Sequence, residues 1–171
     1  MTTLFGVQQF GLPQKGDKGD PGLTYTRLKS EVLYTGQALV IGAVASNLVT
    51  ALKALTPASG TLAPFFNTTT DKLTVNNEAM SVNFKLNMTG VWSAGANRSI
   101  GINFVGTNGN NITLSRNDAI GTGDVVSFNT FFSVDVGGNL ATNGAAIQLQ
   151  TSGGTFTASQ IFLIAEQLVQ S

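Results

Sequence analysis

Residues 80–88 alternate strictly between apolar and polar side chains, and this period of two constrains the fold more than any other feature of the sequence. Successive side chains of a β-strand point to opposite faces, so the pattern predicts a strand with one buried and one solvated face. The same alternation returns at 100–104, 112–114 and 126–134, and clusters of Gly, Asn and Asp separate these stretches. Short strands joined by turns, with no long helix between them, predict an antiparallel β-sandwich over residues 61–171.

The last segment, residues 156–169, is apolar on both faces of a predicted strand. Such a strand is buried on both sides, either centrally in a sandwich or between subunits. With 11 phenylalanines and only 11% charged residues, the chain carries more apolar surface than a small sandwich hides, which favours an obligate subunit interface. The residues predicted for the core or this interface are Phe128, Phe132, Phe156, Ile161, Phe162, Leu163 and Ile164.

The composition excludes much of enzyme chemistry. The sequence has no cysteine and no histidine, which removes thiolate nucleophiles, the usual zinc ligands and every histidine-dependent catalytic triad. The nine acidic residues are scattered, so we predict no catalytic residue, no cofactor and no metal. Nine basic residues balance them, which argues against nucleic acid as a partner, and no apolar run of about 18 residues is present for membrane insertion.

The first residues, 1–14, are predicted to form an anchor peptide. They are too short and too interrupted by glycine to fold alone, yet they carry large apolar side chains that would become ordered on a partner surface. These side chains are Leu4, Phe5, Val7, Phe10 and Leu12. The N-terminus lacks the pattern of a secretory signal, so we expect assembly in the cytoplasm.

Residues 15–24 are predicted to form a short collagen-like neck. Gly16, Gly19 and Gly22 keep a strict period of three, and only glycine fits the crowded axis of a collagen triple helix. The motif Lys-Gly-Asp occurs twice before a proline, which would let lysines of one chain face aspartates of the next; the residues concerned are Lys15, Asp17, Lys18, Asp20 and Pro21. So short a stalk cannot hold three chains together, so the head must stabilise the trimer.

Residues 25–60 are predicted only as a connector of uncertain structure. Within them, residues 40–45 are a candidate buried strand. Leu48, Leu52 and Leu55 follow Ser46 and Asn47 and predict a short helix with an N-cap.

A collagen-like run followed by a β-sandwich that ends in the strand 156–165 resembles the complement C1q and tumour-necrosis-factor-like family of trimeric jelly rolls. The stretches 84–93, 131–135 and 138–140 are similar to small phage fibre proteins that carry such a head on virions. The resemblance implies a homotrimer of jelly-roll sandwiches that share an apolar axis, with the termini at one end and the loops at the other.

Together these features indicate a non-enzymatic structural protein of the virion surface: a trimeric head fibre or decoration protein attached to the phage capsid by its N-terminus. The first alternative is a tail-fibre or lectin-like module that recognises host-surface glycans, with Trp92 as the candidate contact because aromatic rings stack on sugars. The second alternative is a bacterial collagen-like surface filament protein, which the same order of segments would suit.

Overall fold

The computed structural model describes residues 24–93, 95, 97–107, 110–116 and 123–170. In chain order its elements are β1 (Tyr25–Ile41), β2 (Ser46–Asn47), α1 (Leu48–Lys53), β3 (Ser59–Thr61), β4 (Phe66–Asn67), β5 (Lys72–Leu73), β6 (Val82–Trp92), β7 (Arg98–Val105), β8 (Asn111–Arg116), β9 (Asp124–Phe132), α2 (Asn139–Asn143), β10 (Ala146–Ser152) and β11 (Phe156–Gln170). The residues predicted for the anchor and for the neck up to position 23 lie outside the described part of the chain.

Two antiparallel sheets pack against each other. One has five strands in the order β3-β1-β11-β6-β9, and the other has four in the order β2-β10-β7-β8. A small third sheet pairs β4 with β5. This arrangement confirms the prediction of an all-β antiparallel sandwich.

The first and last described strands lie side by side. β1 pairs with β11 from Tyr25 opposite Gln170 to Ile41 opposite Phe156, with an irregularity between Thr35 and Leu39. The sandwich therefore begins at β1, so the segment 25–60 is part of it and not a separate connector before residue 61.

The predictions within 25–60 had two outcomes. The strand predicted over 40–45 is wrong: β1 ends at Ile41, while Val40 is 58% exposed and Val44 is 84% exposed. The predicted helix is confirmed as α1, and the Asn47 side chain accepts a hydrogen bond from the Thr50 backbone at 3.1 Å, as an N-cap residue does.

The core lies between the two large sheets and follows the predicted alternation. Phe104 of β7 sits between two phenylalanines of the opposite sheet, with its ring centre 4.9 Å from Phe84 and 4.7 Å from Phe132 in edge-to-face geometry. Of the residues predicted from the sequence for the core or interface, five are buried in this intrachain core: Phe128, Phe132, Phe156, Ile161 and Leu163.

The two helices found in the described residues have only six and five residues. Neither has the length or the apolar character that crossing a bilayer requires.

Candidate interaction face

The side of the five-stranded sheet that points away from the four-stranded sheet, called the outer face here, is the surface that best fits a partner. Strand pairing arranges its side chains in rows across the sheet. The central row runs Leu33, Phe162, Asn87, Ser127, and the next runs Glu31, Ile164, Lys85, Asn129. A third row runs Lys29, Glu166, Asn83, Phe131. The apolar side chains of β1 and β11 in these rows, Leu33, Phe162 and Ile164, therefore lie together near the middle of the face.

Exposed apolar side chains concentrate on this face. Among the described residues, six of the nine large hydrophobic side chains that remain exposed project from it: Tyr25, Val40, Val91, Val125, Phe131 and Leu168. Phe131, on the edge strand β9, is 66% exposed. Leu33, Phe162 and Ile164 at the centre are half-buried by their neighbours. An apolar area of this extent on one side of a monomer is typical of a protein interface.

The outer side of the four-stranded sheet has a different character. Its side chains are amides, hydroxyls and a glycine in matching rows: Gln148, Asn103 and Asn111, then Gln150, Gly101 and Thr113, then Ser152, Ser99 and Ser115. Water solvates such groups well, so this side needs no cover. The contrast singles out the five-stranded sheet as the interaction side.

Polar groups on the outer face largely bond to each other. Ser127 donates to the Asn87 side chain at 2.7 Å and accepts from Asn129 at 3.1 Å. Lys29 pairs with Glu31 at 2.7 Å, and Arg27 lies 3.7 Å from Glu166. Pairs this exposed add little stability, but they leave the apolar centre without unpaired charge from Lys29 or Glu31.

The sequence identified only part of this face. Phe162 and Ile164 were predicted for the core or interface, and both lie on the outer face. Leu33 and Phe131 were not predicted. Each belongs to a run of consecutive apolar residues, Val32 to Tyr34 and Phe131 to Phe132, and in a strand one member of such a pair must point away from the core.

Trp92, predicted as a possible glycan contact, is a core residue. It is only 5% exposed, its indole Nε1 donates to Asp124 Oδ2 at 3.0 Å, and its ring centre lies 5.2 Å from that of Phe156. The Arg98 guanidinium covers the ring at 5.5 Å from its centre. A ring enclosed in this way has no face left for a sugar, so the prediction of a ligand contact at Trp92 is corrected to packing.

The carboxylates of Asp71 and Asp124 form ion pairs with basic side chains of the same chain. Lys53 contacts Asp71 at 2.6 Å, and its hydrogen bond, together with that of Thr50, lowers the pKa of the Asp71 carboxyl. Arg116 contacts Asp124 at 3.1 Å. Within the described ranges, no three acidic side chains come together in a way that would hold a metal ion.

Comparison with known proteins identifies the family. A family model described as the Sf6-type phage tail needle knob or tip of some Caudovirales matches residues 26–167. The chain belongs to this family. It is therefore a phage structural protein, as the sequence predicted.

A relative and a solved structure were found by the other comparisons. The tail needle protein of Shigella phage Sf6 is 49% identical over 143 residues, which make up 83% of this chain and 50% of that protein. The chain thus spans half the length of this curated relative. The PRD1 vertex protein P5 gives a TM-score of 0.44 at 12% identity, over 86% of this chain and 98% of that one.

Proposed function

We propose that this chain forms the knob of a phage tail needle, as a homotrimer of jelly-roll sandwiches with a structural and not an enzymatic role. The family match and the printed description of the Sf6 relative support the tail as the location. Neither supports attachment to the capsid as a head fibre, which the sequence alone had favoured, nor a bacterial surface filament. The order of strands in the two sheets supports the jelly-roll assignment.

The apolar outer face is the observation that most supports a trimer. Burying each large apolar side chain contributes about 1.5–3 kcal/mol relative to leaving it in water. In the proposed arrangement, Phe131 on the edge strand of one protomer packs on Leu33 and Phe162 of the next. A contact between the edge strand of one protomer and the outer face of the next is heterologous, and it closes into a ring when three copies are related by a three-fold axis.

The positions of the chain ends support an orientation. Tyr25 and Gln170 are paired, so the described chain enters and leaves the sandwich at one end. The turns at 42–46 and 152–155 lie at the opposite end. In the proposal, residues 1–14 anchor the knob and 15–24 form the neck, so the turns at the other end face away from the particle.

Light scattering tests the trimer. The wild-type chain should give about three times 17.8 kDa, and Phe162→Glu should give a folded monomer because three carboxylates would be buried at the axis. Gln150→Glu, on the outer side of the four-stranded sheet, is the matched control and should remain trimeric. A monomeric wild-type protein at micromolar concentration would contradict the proposed assembly.

A second substitution tests the edge-to-face packing. Phe131→Asn should weaken the trimer and raise the concentration at which it dissociates, with little effect on the fold of each protomer, because the ring is mostly exposed there. Val136→Asn removes a side chain that is 77% exposed but lies outside the outer face, and should change nothing. Equal dissociation of the two variants would show that Phe131 is not at the interface.

Imaging tests the location independently of the oligomeric state. Virions that lack this protein should lose density at the tip of the tail needle. Loss of density on the capsid surface instead would restore the head-fibre assignment.

A second candidate function is recognition of a neutral host glycan, and the amide-rich side of the four-stranded sheet favours it. Gln150 and Asn103 flank Gly101 there, with a depression of about 300 Å³ above the glycine. A glycan array with the wild type and with the pair Gln150→Ala and Asn103→Ala would test it: only the wild type should retain binding.

A further inference from the structure

A wide depression, called the groove here, opens beside β3 and between α1 and residues 60–68. Its volume is about 800 Å³, within the range of sites that hold small organic ligands. The apolar side chains that line it are Tyr34, Leu52, Leu55, Pro57, Leu62 and Phe66. None of the described lining residues belongs to β6, β9 or β11, so the groove is separate from the centre of the outer face.

Tyr34 gives the groove an unused polar group. The residue is only 1% exposed, and no described residue makes a hydrogen bond with its hydroxyl. Water can bond to the hydroxyl at the groove, and a ligand oxygen could replace that water as its acceptor. Burial raises the pKa of the Tyr34 phenol, so at neutral pH the hydroxyl keeps its proton and remains able to donate.

The charge at the rim is already balanced. Lys53 is the one charged residue among the described lining residues, and its ammonium group lies 2.6 Å from Asp71 Oδ1. It also donates to the Thr68 carbonyl at 3.2 Å. An anionic ligand would have to compete with Asp71, so the groove favours an uncharged one.

Hydrogen bonds hold one wall of the groove in place. The buried Ser30 hydroxyl donates to the Leu62 carbonyl at 2.8 Å and accepts from the Phe65 amide at 2.9 Å. The Thr74 amide donates to the Phe65 carbonyl at 2.7 Å. The site is thus formed before any ligand arrives, which reduces the entropy lost on binding.

We propose that the groove binds an uncharged amphiphile, with its apolar part against Leu55 and Pro57 and a hydroxyl or carbonyl oxygen accepting a hydrogen bond from Tyr34. This site does not depend on the trimer or on the location of the protein in the virion.

Titration of the full chain with n-octyl β-D-glucoside below its micellar concentration tests the site. Binding should be saturable, and Tyr34→Phe should weaken it about tenfold, which corresponds to one hydrogen bond, while the melting temperature is kept. Tyr25→Phe changes the other of the two tyrosines, far from the groove, and should bind as the wild type does. Absence of binding, or equal affinity for Tyr34→Phe and wild type, would overturn the proposal.

Two comparisons make the ligand class falsifiable. Glucose alone and octyl sulfate should both bind more weakly than octyl glucoside; tighter binding of octyl sulfate would show an anion site and overturn the uncharged class. Leu55→Trp should fill the groove and abolish binding without changing the mass of the oligomer measured on the same samples. Retained binding by a folded Leu55→Trp variant would place the ligand elsewhere and overturn the site.

Discussion

Gln167 and Asn77 hold each other at the end of the sandwich where the chain leaves it. The Gln167 side-chain oxygen accepts from the Asn77 amide at 2.9 Å, and its nitrogen donates to the Asn77 carbonyl. In return, the Asn77 side chain donates to the Leu168 carbonyl at 3.0 Å. Gln167 also accepts from the Asn76 amide and donates to the Met80 carbonyl, so its buried amide has no bonding capacity left unused.

Replacing Gln167 with Met should therefore lower the free energy of unfolding by about 2–4 kcal/mol, because several partly buried backbone groups lose their partner at once. Gln150→Met, at an exposed position of β10, is the control and should have a small effect. Urea denaturation at one fixed protein concentration measures both. A loss below about 0.5 kcal/mol for Gln167→Met would show that water replaces the lost bonds.

Two strand glycines should respond in opposite ways to alanine. A Cβ at Gly90 would come 2.2 Å from the Thr157 carbonyl oxygen, whereas a Cβ at Gly101 would have Thr113 Oγ1 as its nearest neighbour at 3.5 Å. Gly90→Ala should cost about 1–3 kcal/mol or more, since the β6 and β11 backbones must move apart. Gly101→Ala should be neutral or slightly stabilising, because it reduces the freedom of the unfolded chain. Thermal melts of both variants measure the difference, and similar melting temperatures would contradict it.

The ion pair between Lys53 and Asp71 should make stability depend on acid pH. Lys53, then Thr50, stabilises the charged carboxylate, so the pKa of Asp71 is lower in the folded than in the unfolded chain. This contribution to stability is complete above the pKa that Asp71 has in the unfolded chain. It is lost as the pH falls through the pKa that Asp71 has in the folded chain, a window below about pH 4.

The stability difference between wild type and Asp71→Asn should accordingly be constant from pH 5 to 7 and should narrow below about pH 4. Asparagine tolerates the left-handed backbone at this position, where φ is 57°, so the comparison isolates the charge. Lys53→Met should reduce the same pH dependence, leaving the part that the Thr50 hydrogen bond supplies. A difference that stayed constant to pH 2 would show that the pair does not act on folding.

The buried position of Trp92 predicts its spectroscopy. As the sole tryptophan, it should resist quenching by iodide in the folded state and become accessible only on unfolding. Trp92→Phe should lower the free energy of unfolding by about 1–2 kcal/mol through loss of the bond to Asp124. Efficient iodide quenching of the folded protein would contradict the burial seen here.

The sequence predicted strands where one face is uniformly apolar. Val82 to Met88 and Ile100 to Phe104 are such cases, because the period of two depends only on local contrast between neighbours. β1 was missed because Ser30 occupies a core position and Leu33 points outward, which breaks the alternation, and because the irregularity after Thr35 changes the side to which later residues point.

The interaction face and the groove were less predictable because both depend on contacts between residues far apart in the sequence. Which of Phe131 and Phe132 faces outward depends on the register with β6. Whether the Tyr34 hydroxyl finds a hydrogen-bond partner depends on residues far along the chain. The role of Gln167 rests on partners 87–91 positions away. Long-range pairing of this kind leaves no local pattern in the sequence.

The central place of β11 in its sheet sets the order of events during synthesis. β1 and β6 both pair with this strand, so neither completes its hydrogen bonding until the ribosome has made the last strand. Roughly 115 residues separate Ile41 from its partner Phe156, which at 5–20 residues per second means a wait of about 6–23 seconds with unpaired strand edges. Until β11 is made, the edges of β1 and β6 stay open to pairing with other chains.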